Sequence, residues 1–322
     1  MSKFFFVHIP KTAGTSFRLG AEDYFSPSKI EYDYGYKSPE TTSLVRELIY
    51  ERRGDFWEFG KKFFESGKNM VGGHVNINRF LPLLGVENTV SFLRDPLRRM
   101  YSEYSHFVRH YEYKGSFHDF YSRPMMHNRQ SKMLQGVDLE AIGFLGITED
   151  YNESLELLNN RFGLNILQRK DNRDKSRIRK GGDVSSEDVN EFSRLNKRDI
   201  AVYKNVHELF DYRYSFFKRN LAWVHARLVE AKPGRIAGWA WWEGDCDDPV
   251  EIEVWANGEY LNTVSAVEFR PALCRHLPPR GGYVGFHLPV KLAVGDKVQC
   301  RVASTGQRFP VNPRSVVKPE AK

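Results

Sequence analysis

An apolar run that leads into a glycine-containing loop near the N-terminus constrains the fold of this chain most. The run Phe4 to Ile9 stops at Pro10, and the loop around Gly14 passes into the segment Thr15 to Ala21. This pattern predicts a strand, a tight loop and a helix. The first N–H groups of a helix have no acceptor within it and lie at the positive end of its dipole. The loop is therefore predicted to bind an anion such as phosphate.

Side chains of the same loop add further donors for an anion. Lys11 supplies a mobile cation, and three residues supply hydroxyl groups. The predicted anion site comprises Lys11, Thr12, Ala13, Gly14, Thr15 and Ser16. The Walker pattern GxxxxGK[ST] is not met, because Lys11 precedes Gly14 instead of following it. This order disfavours a nucleoside triphosphatase or an ATP-dependent kinase, which stays open as an alternative.

A second segment downstream has a similar arrangement. A predicted strand over residues 88–93 delivers Arg94 to its C-terminal end, and Asp95 is predicted to cap the helix that Pro96 begins. Ser102 lies four residues beyond Arg98 and hence on the same face of that helix. An arginine and a serine can thus meet one phosphate.

Short apolar runs alternate with helical segments through the first two thirds of the chain. The runs are bounded by turn residues, which predicts buried strands of a parallel sheet at residues 4–9, 70–75, 88–93 and 141–148. The predicted helices are residues 42–53, 96–110, 151–161 and 185–195. This alternation predicts an α/β fold, a parallel sheet flanked by helices, over residues 1–218. The strand, loop and helix around Gly14 make the predicted fold P-loop-like.

The character of the sequence changes near residues 219–223. Segments rich in Trp, Val and Ile then follow, separated by Gly, Pro, Asn and Asp, at residues 235–242, 250–256, 260–267, 283–290 and 297–303. This pattern predicts a small all-β sandwich over residues 222–322. Tryptophan at strand spacing belongs to a core more often than to a sugar-binding surface, so we assign this region no catalytic residue.

The two anion segments together resemble the donor site of a known family. The sequence HIPKTAGTS at residues 8–16 is similar to the 5′-phosphosulfate loop of Golgi-type carbohydrate sulfotransferases and their bacterial relatives. The turn Arg94-Asp95-Pro96 followed by a helical serine resembles the 3′-phosphate site of that family. The resemblance implies 3′-phosphoadenosine 5′-phosphosulfate (PAPS) as co-substrate, with Lys11 on the 5′-phosphate and bridging oxygen and with Arg94 and Ser102 on the 3′-phosphate. It implies transfer of a sulfuryl group to a hydroxyl, with no metal required.

Such a transfer requires a group that removes the hydroxyl proton, and histidine suits this role near neutral pH. His74 ends the predicted strand 70–75 at the sheet edge that also carries Lys11 and Arg94, where open α/β sheets bind ligands. The Gly73-His74 pair also resembles that of uronyl 2-O-sulfotransferases, which implies that His74 is the base. The alternatives are His8, interpreted as structural, His106 and His110, which follow the helix beyond Ser102, and the carboxylates Glu22 and Asp23.

A basic run follows the last predicted strand of the α/β region. Residues 169–180 hold seven basic residues against two acidic ones, in a chain with a formal net charge of +7. Such a run is commonly a solvated loop, and it also suits an anionic nucleotide or polysaccharide. The resemblance implies that Arg177 to Gly182 form a loop that closes on the nucleotide, with contacts from Arg177 and Lys180, and that residues 128–131 line the cleft.

The sequence leaves the acceptor open. The resemblance to carbohydrate sulfotransferases favours a glycan, as does that of residues 230–315 to β-sandwich modules of bacterial glycan-processing enzymes. A small metabolite, a peptide tyrosine, or a non-catalytic glycan-binding protein are the alternatives. No apolar run reaches the roughly 20 residues that cross a bilayer, so we expect no membrane span and a cytoplasmic enzyme. The three cysteines show no metal-ligand spacing, and we expect neither a metal nor a nucleic-acid partner.

Overall fold

The computed structural model describes residues 3–169 and 186–317. The chain divides into two compact units. Unit 1 contains the described residues of Met1–Leu84, Asn88–Val137 and Phe144–Phe210, and unit 2 contains Gly85–Glu87, Asp138–Gly143 and the described residues of Asp211–Lys322. Within these described ranges, no helix is both long enough and apolar enough to span a membrane.

Unit 1 is built on five short strands, all of whose residues are buried. They are β1 (Phe4–Val7), β2 (Ile30–Asp33), β3 (Met70–Gly73), β4 (Thr89–Leu93) and β5 (Phe144–Ile147). Neighbouring strands run parallel in the order β2-β3-β1-β4-β5. Continuous apolar runs are typical of strands covered on both faces. The four predicted strands are confirmed. Strand β2 was not predicted, because the charged residues Glu31 and Asp33 interrupt its apolar pattern.

Helices lie between these strands and after the last of them. The longer ones are α1 (Gly14–Phe25), α3 (Phe56–Glu65), α5 (Pro96–His110), α8 (Tyr151–Phe162), α9 (Ser186–Leu195) and α10 (Lys197–Lys218). The shorter ones are α2 (Ser43–Val45), α4 (Leu81–Leu84), α6 (Phe117–Tyr121) and α7 (Arg129–Met133). Three predicted helices, at residues 96–110, 151–161 and 185–195, are confirmed to within one residue. The fourth, at 42–53, is helical but continues from α2 as a π-helical turn over Arg46–Glu51.

The C-terminal end of β3 requires a glycine. Gly73 pairs with Asp33 on β2 and with Val7 on β1. A Cβ at residue 73 would lie 1.9 Å from the backbone oxygen of Asp33, which is far inside van der Waals contact. The absence of a side chain at Gly73 therefore lets β2 approach β3 closely at the point where His74 leaves the sheet.

Unit 2 contains two antiparallel sheets of four strands, in the orders β10-β11-β7-β6 and β13-β12-β8-β9. The strands are β6 (Val224–Lys232), β7 (Arg235–Trp242), β8 (Glu251–Ala256), β9 (Glu259–Ser265), β10 (Glu268–Phe269), β11 (Tyr283–Pro289), β12 (Lys297–Val302) and β13 (Arg308–Ser315), with one short helix, α11 (Pro271–Cys274). One apolar core takes side chains from both sheets, among them Ile236 and Phe286 from the first and Ile252 and Val298 from the second. The predicted α/β region followed by an all-β region is thus confirmed.

Candidate functional site

The ends of four adjacent strands of unit 1 deliver polar side chains to one cleft. His8 directly follows β1, His74 follows β3, Arg94 follows β4 and Thr148 follows β5. All four residues line a cleft of about 1250 Å³. Since the carboxyl ends of parallel strands meet at one edge of a sheet, the strand order alone brings these distant positions together.

The cleft lies where the connections of the sheet diverge. From β1 the chain continues to β2, which lies at one edge of the sheet. From β4 it continues to β5, which lies at the opposite edge. Open α/β sheets bind ligands at such a switch point, outside the carboxyl ends of the strands. The loop after β1 and the turn after β4 therefore flank the position at which this architecture accepts a ligand.

The loop after β1 has an unusual backbone. Lys11 and Ala13 adopt the left-handed conformation, with φ of 69° and 61°, although neither is glycine. A non-glycine residue in this region costs on the order of 1 kcal/mol, and such residues cluster at ligand-binding positions. The turn brings the chain into the first residue of α1, Gly14, and the first N–H groups of that helix have no acceptor within it. Lys11, Ala13, Gly14, Thr15 and Ser16 all line the cleft.

Thr12 has a different environment from the rest of the predicted anion site. Its side chain is buried, with 1% exposed, and its Oγ1 donates a hydrogen bond to the carbonyl of Ile9 at 2.9 Å. Thr12 does not line the cleft. Its hydroxyl therefore fixes the shape of the loop, which differs from the direct contact with an anion that the sequence predicted.

The first turn of α1 packs directly on a histidine ring. A Cβ at Gly14 would lie 2.1 Å from Cδ2 and 2.3 Å from Nε2 of His8, so any side chain at residue 14 would have to displace the His8 ring. The other ring nitrogen of His8, Nδ1, lies 2.8 Å from the hydroxyl of Tyr34, the residue that follows β2. His8 is thus held between the loop after β1 and the end of the neighbouring strand β2.

Arg94 is held through its backbone by one buried side chain. The side-chain oxygen of Gln130, Oε1, accepts a hydrogen bond from the Arg94 backbone N–H at 3.0 Å. The side-chain nitrogen of Gln130, Nε2, donates to the Arg94 backbone carbonyl at 2.9 Å. Asp199 accepts the backbone N–H groups of Gln130 and Ser131 at 3.1 and 2.8 Å. This arrangement fixes the turn after β4 in one conformation.

The Arg94 side chain connects the two predicted anion segments. Its Nη1 donates to the Lys11 carbonyl at 3.3 Å, and its Nε lies 4.0 Å from a carboxylate oxygen of Glu149. The same Glu149 oxygen accepts the Asp95 N–H at 3.2 Å. The loop after β1 and the turn after β4 are therefore in direct contact, and Arg94 presents its guanidinium to the cleft from between them.

The start of α5 agrees with the predicted cap. Pro96 is its first residue, and the Asp95 side chain accepts the Arg98 N–H at 2.9 Å. Ser102 lines the cleft and is 5% exposed, whereas the Arg98 side chain is exposed and does not line it. The arginine that accompanies Ser102 in the cleft is therefore Arg94, although Arg98 shares its helix face.

His74 is held in one tautomer by the backbone. Its Nδ1 lies 2.6 Å from the carbonyl oxygen of His8, and a carbonyl oxygen only accepts, so Nδ1 carries the proton. Nε2 of the neutral ring is then the acceptor, and it has no hydrogen-bond partner among the described residues. Desolvation lowers the pKa of His74 and outweighs the opposing effect of the His8 carbonyl. The ring is therefore neutral near pH 7 and able to take a proton.

The other candidate bases divide into two groups. His106 and His110 of α5 line the cleft, and desolvation lowers the pKa of His106. Glu22 and Asp23 do not line it. Glu22 accepts a hydrogen bond from the Tyr32 hydroxyl at 2.7 Å, and Asp23 pairs with a side chain of the basic run, Arg169, at 3.4 Å. The geometry of the cleft therefore favours a histidine over Glu22 or Asp23 as the candidate base.

Charge in the cleft is strongly asymmetric. Five cations line it, and they are Lys11, Arg94, Arg109, Arg129 and Arg169. The one carboxylate among its described lining residues is Glu103, which is buried and pairs with Arg99 at 2.6 Å and with Arg129. Since these two arginines neutralise Glu103, the cleft as a whole favours anionic ligands.

The segment at residues 128–131 divides between two roles. Arg129 lines the cleft as expected, whereas Gln130 supports Arg94 and the Asn128 side chain donates to the Leu195 carbonyl at 2.9 Å. Sequence reasoning missed the supporting contacts of Tyr34, Gln130 and Glu149, since nothing in their local pattern distinguishes them. The remaining predicted contacts, Arg177 and Lys180, lie outside the described residues.

Comparison with models of known protein families and with curated proteins found no match to this chain.

Proposed function

We propose that unit 1 is a PAPS-dependent sulfotransferase with a P-loop-like donor site, which transfers a sulfuryl group to a hydroxyl of a carbohydrate. The observation that carries this proposal is the convergence, in one basic cleft, of a neutral histidine and the two segments that the sequence predicts to bind anions. A nucleotide with phosphates at both ends of its ribose needs two separate anion sites, and the Lys11 loop and the Arg94 turn supply them in direct contact. The resemblance of both segments to carbohydrate sulfotransferases supports the same donor.

The reaction that these residues support is a direct in-line displacement. The acceptor oxygen forms a bond to sulfur while the bond from sulfur to the 5′-phosphate oxygen breaks, and adenosine 3′,5′-bisphosphate leaves. Negative charge accumulates on the departing phosphate oxygen, so a cation at Lys11 and the N–H groups at the start of α1 stabilise the transition state more than the ground state. Nε2 of His74 takes the proton of the acceptor hydroxyl. No step of this reaction requires a metal.

Two binding measurements test the donor. Adenosine 3′,5′-bisphosphate should raise the melting temperature of the full chain, whereas AMP and ATP with Mg²⁺ should have smaller effects, since neither carries a 3′-phosphate. Arg94→Gln should remove the preference for the 3′-phosphate. A larger shift with ATP and Mg²⁺ would instead favour the kinase alternative.

Turnover tests the reaction itself. Purified protein should move labelled sulfate from PAPS to at least one member of a panel of glycan acceptors. Lys11→Met should lower kcat by about 10² to 10³, the usual effect of removing one oxyanion stabiliser. The matched control is Lys61→Met, on the exposed surface of α3. Full activity of the Lys11 variant would contradict the proposed role, and failure of every acceptor with PAPS would contradict the reaction.

A further inference from the structure

A second concave site lies on unit 2, separate from the cleft described above. Val254, Val298 and Cys300 of β8 and β12 point into the core of unit 2. Side chains alternate along a strand, so Trp255 and Arg301 lie on the opposite, outer face. That face carries a groove of about 380 Å³, lined in part by Trp255, Asn257, Lys297, Gln299 and Arg301.

Arg301 is held in this groove without an acidic partner. Its guanidinium stacks over the Trp255 indole, 4.2 Å from the ring centroid, and its Nε is buried with no hydrogen-bond partner. Glu253 lies directly opposite Arg301 across the strands, but it accepts a hydrogen bond from the indole N–H of Trp255 at 3.1 Å. No carboxylate of the described residues forms a salt bridge with Arg301. The guanidinium is therefore positioned by stacking and left with donors for an anion.

The neighbouring side chains add an acceptor and a second cation. The Gln299 amide nitrogen donates to the Val311 carbonyl at 3.2 Å, which orients the side chain and leaves Oε1 as an acceptor. Lys297 donates one hydrogen bond to the Ser315 hydroxyl at 2.6 Å and retains its two other N–H groups. The groove thus combines two cations with one oriented acceptor.

We propose that this groove binds an acidic saccharide. A carboxylate or sulfate of the sugar pairs with Arg301 and Lys297, and a neighbouring sugar hydroxyl donates to Oε1 of Gln299. An inorganic anion would satisfy the cations but leave the Gln299 acceptor unused. An extended peptide is disfavoured, since β8 and β12 are the inner strands of their sheet and their backbone groups are already paired on both sides.

Isothermal titration of the full chain tests this proposal. The probes are a trimer of galacturonate, a sulfated galactose trimer, a neutral galactose trimer and sodium sulfate, all in the presence of saturating adenosine 3′,5′-bisphosphate. One or both acidic trimers should bind, and which of them binds tells a carboxylate from a sulfate ligand. The neutral trimer and sodium sulfate should bind at least tenfold more weakly.

Variants assign the binding to the groove. Arg301→Gln should weaken binding of the acidic trimer by about tenfold or more, because a charge-assisted pair is lost. Arg301→Lys should restore only part of the affinity, since lysine keeps the charge but loses the planar stacking. Lys291→Gln, an exposed charge of unit 2 that does not line the groove, is the matched control.

The proposal is overturned if Arg301→Gln, with an unchanged melting temperature, binds the acidic trimer as tightly as the natural protein. It is also overturned if sodium sulfate binds as tightly as the acidic trimers. Neither result depends on sulfuryl transfer, so this site and the function proposed for unit 1 stand or fall separately.

Discussion

The substitution Gln130→Leu tests whether the turn after β4 is held as the structure indicates. The Gln130 side chain is 0% exposed and makes two hydrogen bonds to the Arg94 backbone, at 3.0 and 2.9 Å. Leucine has a similar size but has no donor or acceptor. The substitution therefore removes both bonds and leaves one N–H and one carbonyl of the turn without their partner.

The expected cost follows from these two groups. Leaving a buried polar group unsatisfied costs about 1–3 kcal/mol, and the turn is only partly buried, so we expect a total loss of about 2–4 kcal/mol in the free energy of unfolding. Urea denaturation of the full chain, followed by circular dichroism, measures this loss. Because the chain has two compact units, the transition to be analysed is the one that shifts with adenosine 3′,5′-bisphosphate.

The same variant has a functional consequence. A mobile turn no longer positions the Arg94 guanidinium, so the Kd for adenosine 3′,5′-bisphosphate should rise about tenfold, or about 1.4 kcal/mol. The Kd for AMP, which has no 3′-phosphate, should change less. Gln135→Leu is the control, because its side chain is exposed. A loss of stability below about 0.5 kcal/mol, equal to that of an ordinary surface substitution, would refute the reasoning.

Three further substitutions address the loop and the base. His74→Asn should abolish turnover while leaving the affinity for adenosine 3′,5′-bisphosphate within about twofold, and a comparable loss of both would indicate a structural role. In the natural protein kcat/KM should fall only as the pH drops through a value below 6.5, since desolvation lowers the pKa of His74. A pH profile in which kcat/KM already falls with an apparent pKa above 6.5 would contradict His74 as the base. Gly14→Ala should cost about 1–3 kcal/mol of stability through its clash with His8, measurable by urea denaturation, and an unchanged stability would show that the His8 ring moves freely. Thr12→Val should destabilise unit 1 by about 1 kcal/mol without a direct loss of nucleotide contacts, and a larger change in nucleotide affinity than in stability would restore Thr12 to the anion site.

The local sequence pattern was sufficient to predict the strands and the helix start that position the candidate site. Apolar runs bounded by turn residues located four of the five parallel strands, and strand ends determine where His74 and Arg94 lie. The cap at Asp95 was predictable because a short-range hydrogen bond from its side chain to the Arg98 N–H depends only on neighbouring residues. The strand β2 was missed since Glu31 and Asp33 interrupt its apolar pattern, although both are buried in the fold.

The supporting contacts were not predictable because they join residues that are distant in sequence. Gln130 reaches Arg94 across 36 residues, and Tyr34 reaches His8 across 26 residues. Glutamine and tyrosine at these positions satisfy no local rule, and their roles depend on the packing of separate elements. Thr12 was difficult for a different reason. A hydroxyl in this loop can bond either a ligand or the loop backbone, and only the fold shows that the Thr12 hydroxyl bonds the Ile9 carbonyl.

The geometry of His8 couples the anion loop to the predicted base. Its ring packs against Gly14 at the start of α1, and its carbonyl oxygen accepts the Nδ1–H of His74. Any displacement of the loop that moves His8 therefore also moves the acceptor that fixes the His74 tautomer. Under the function proposed for unit 1, we therefore expect donor binding and proton removal to be coupled in this cleft. Substitution of Gly14 should alter the pH dependence of turnover as well as nucleotide affinity, even though residue 14 has no ionisable group.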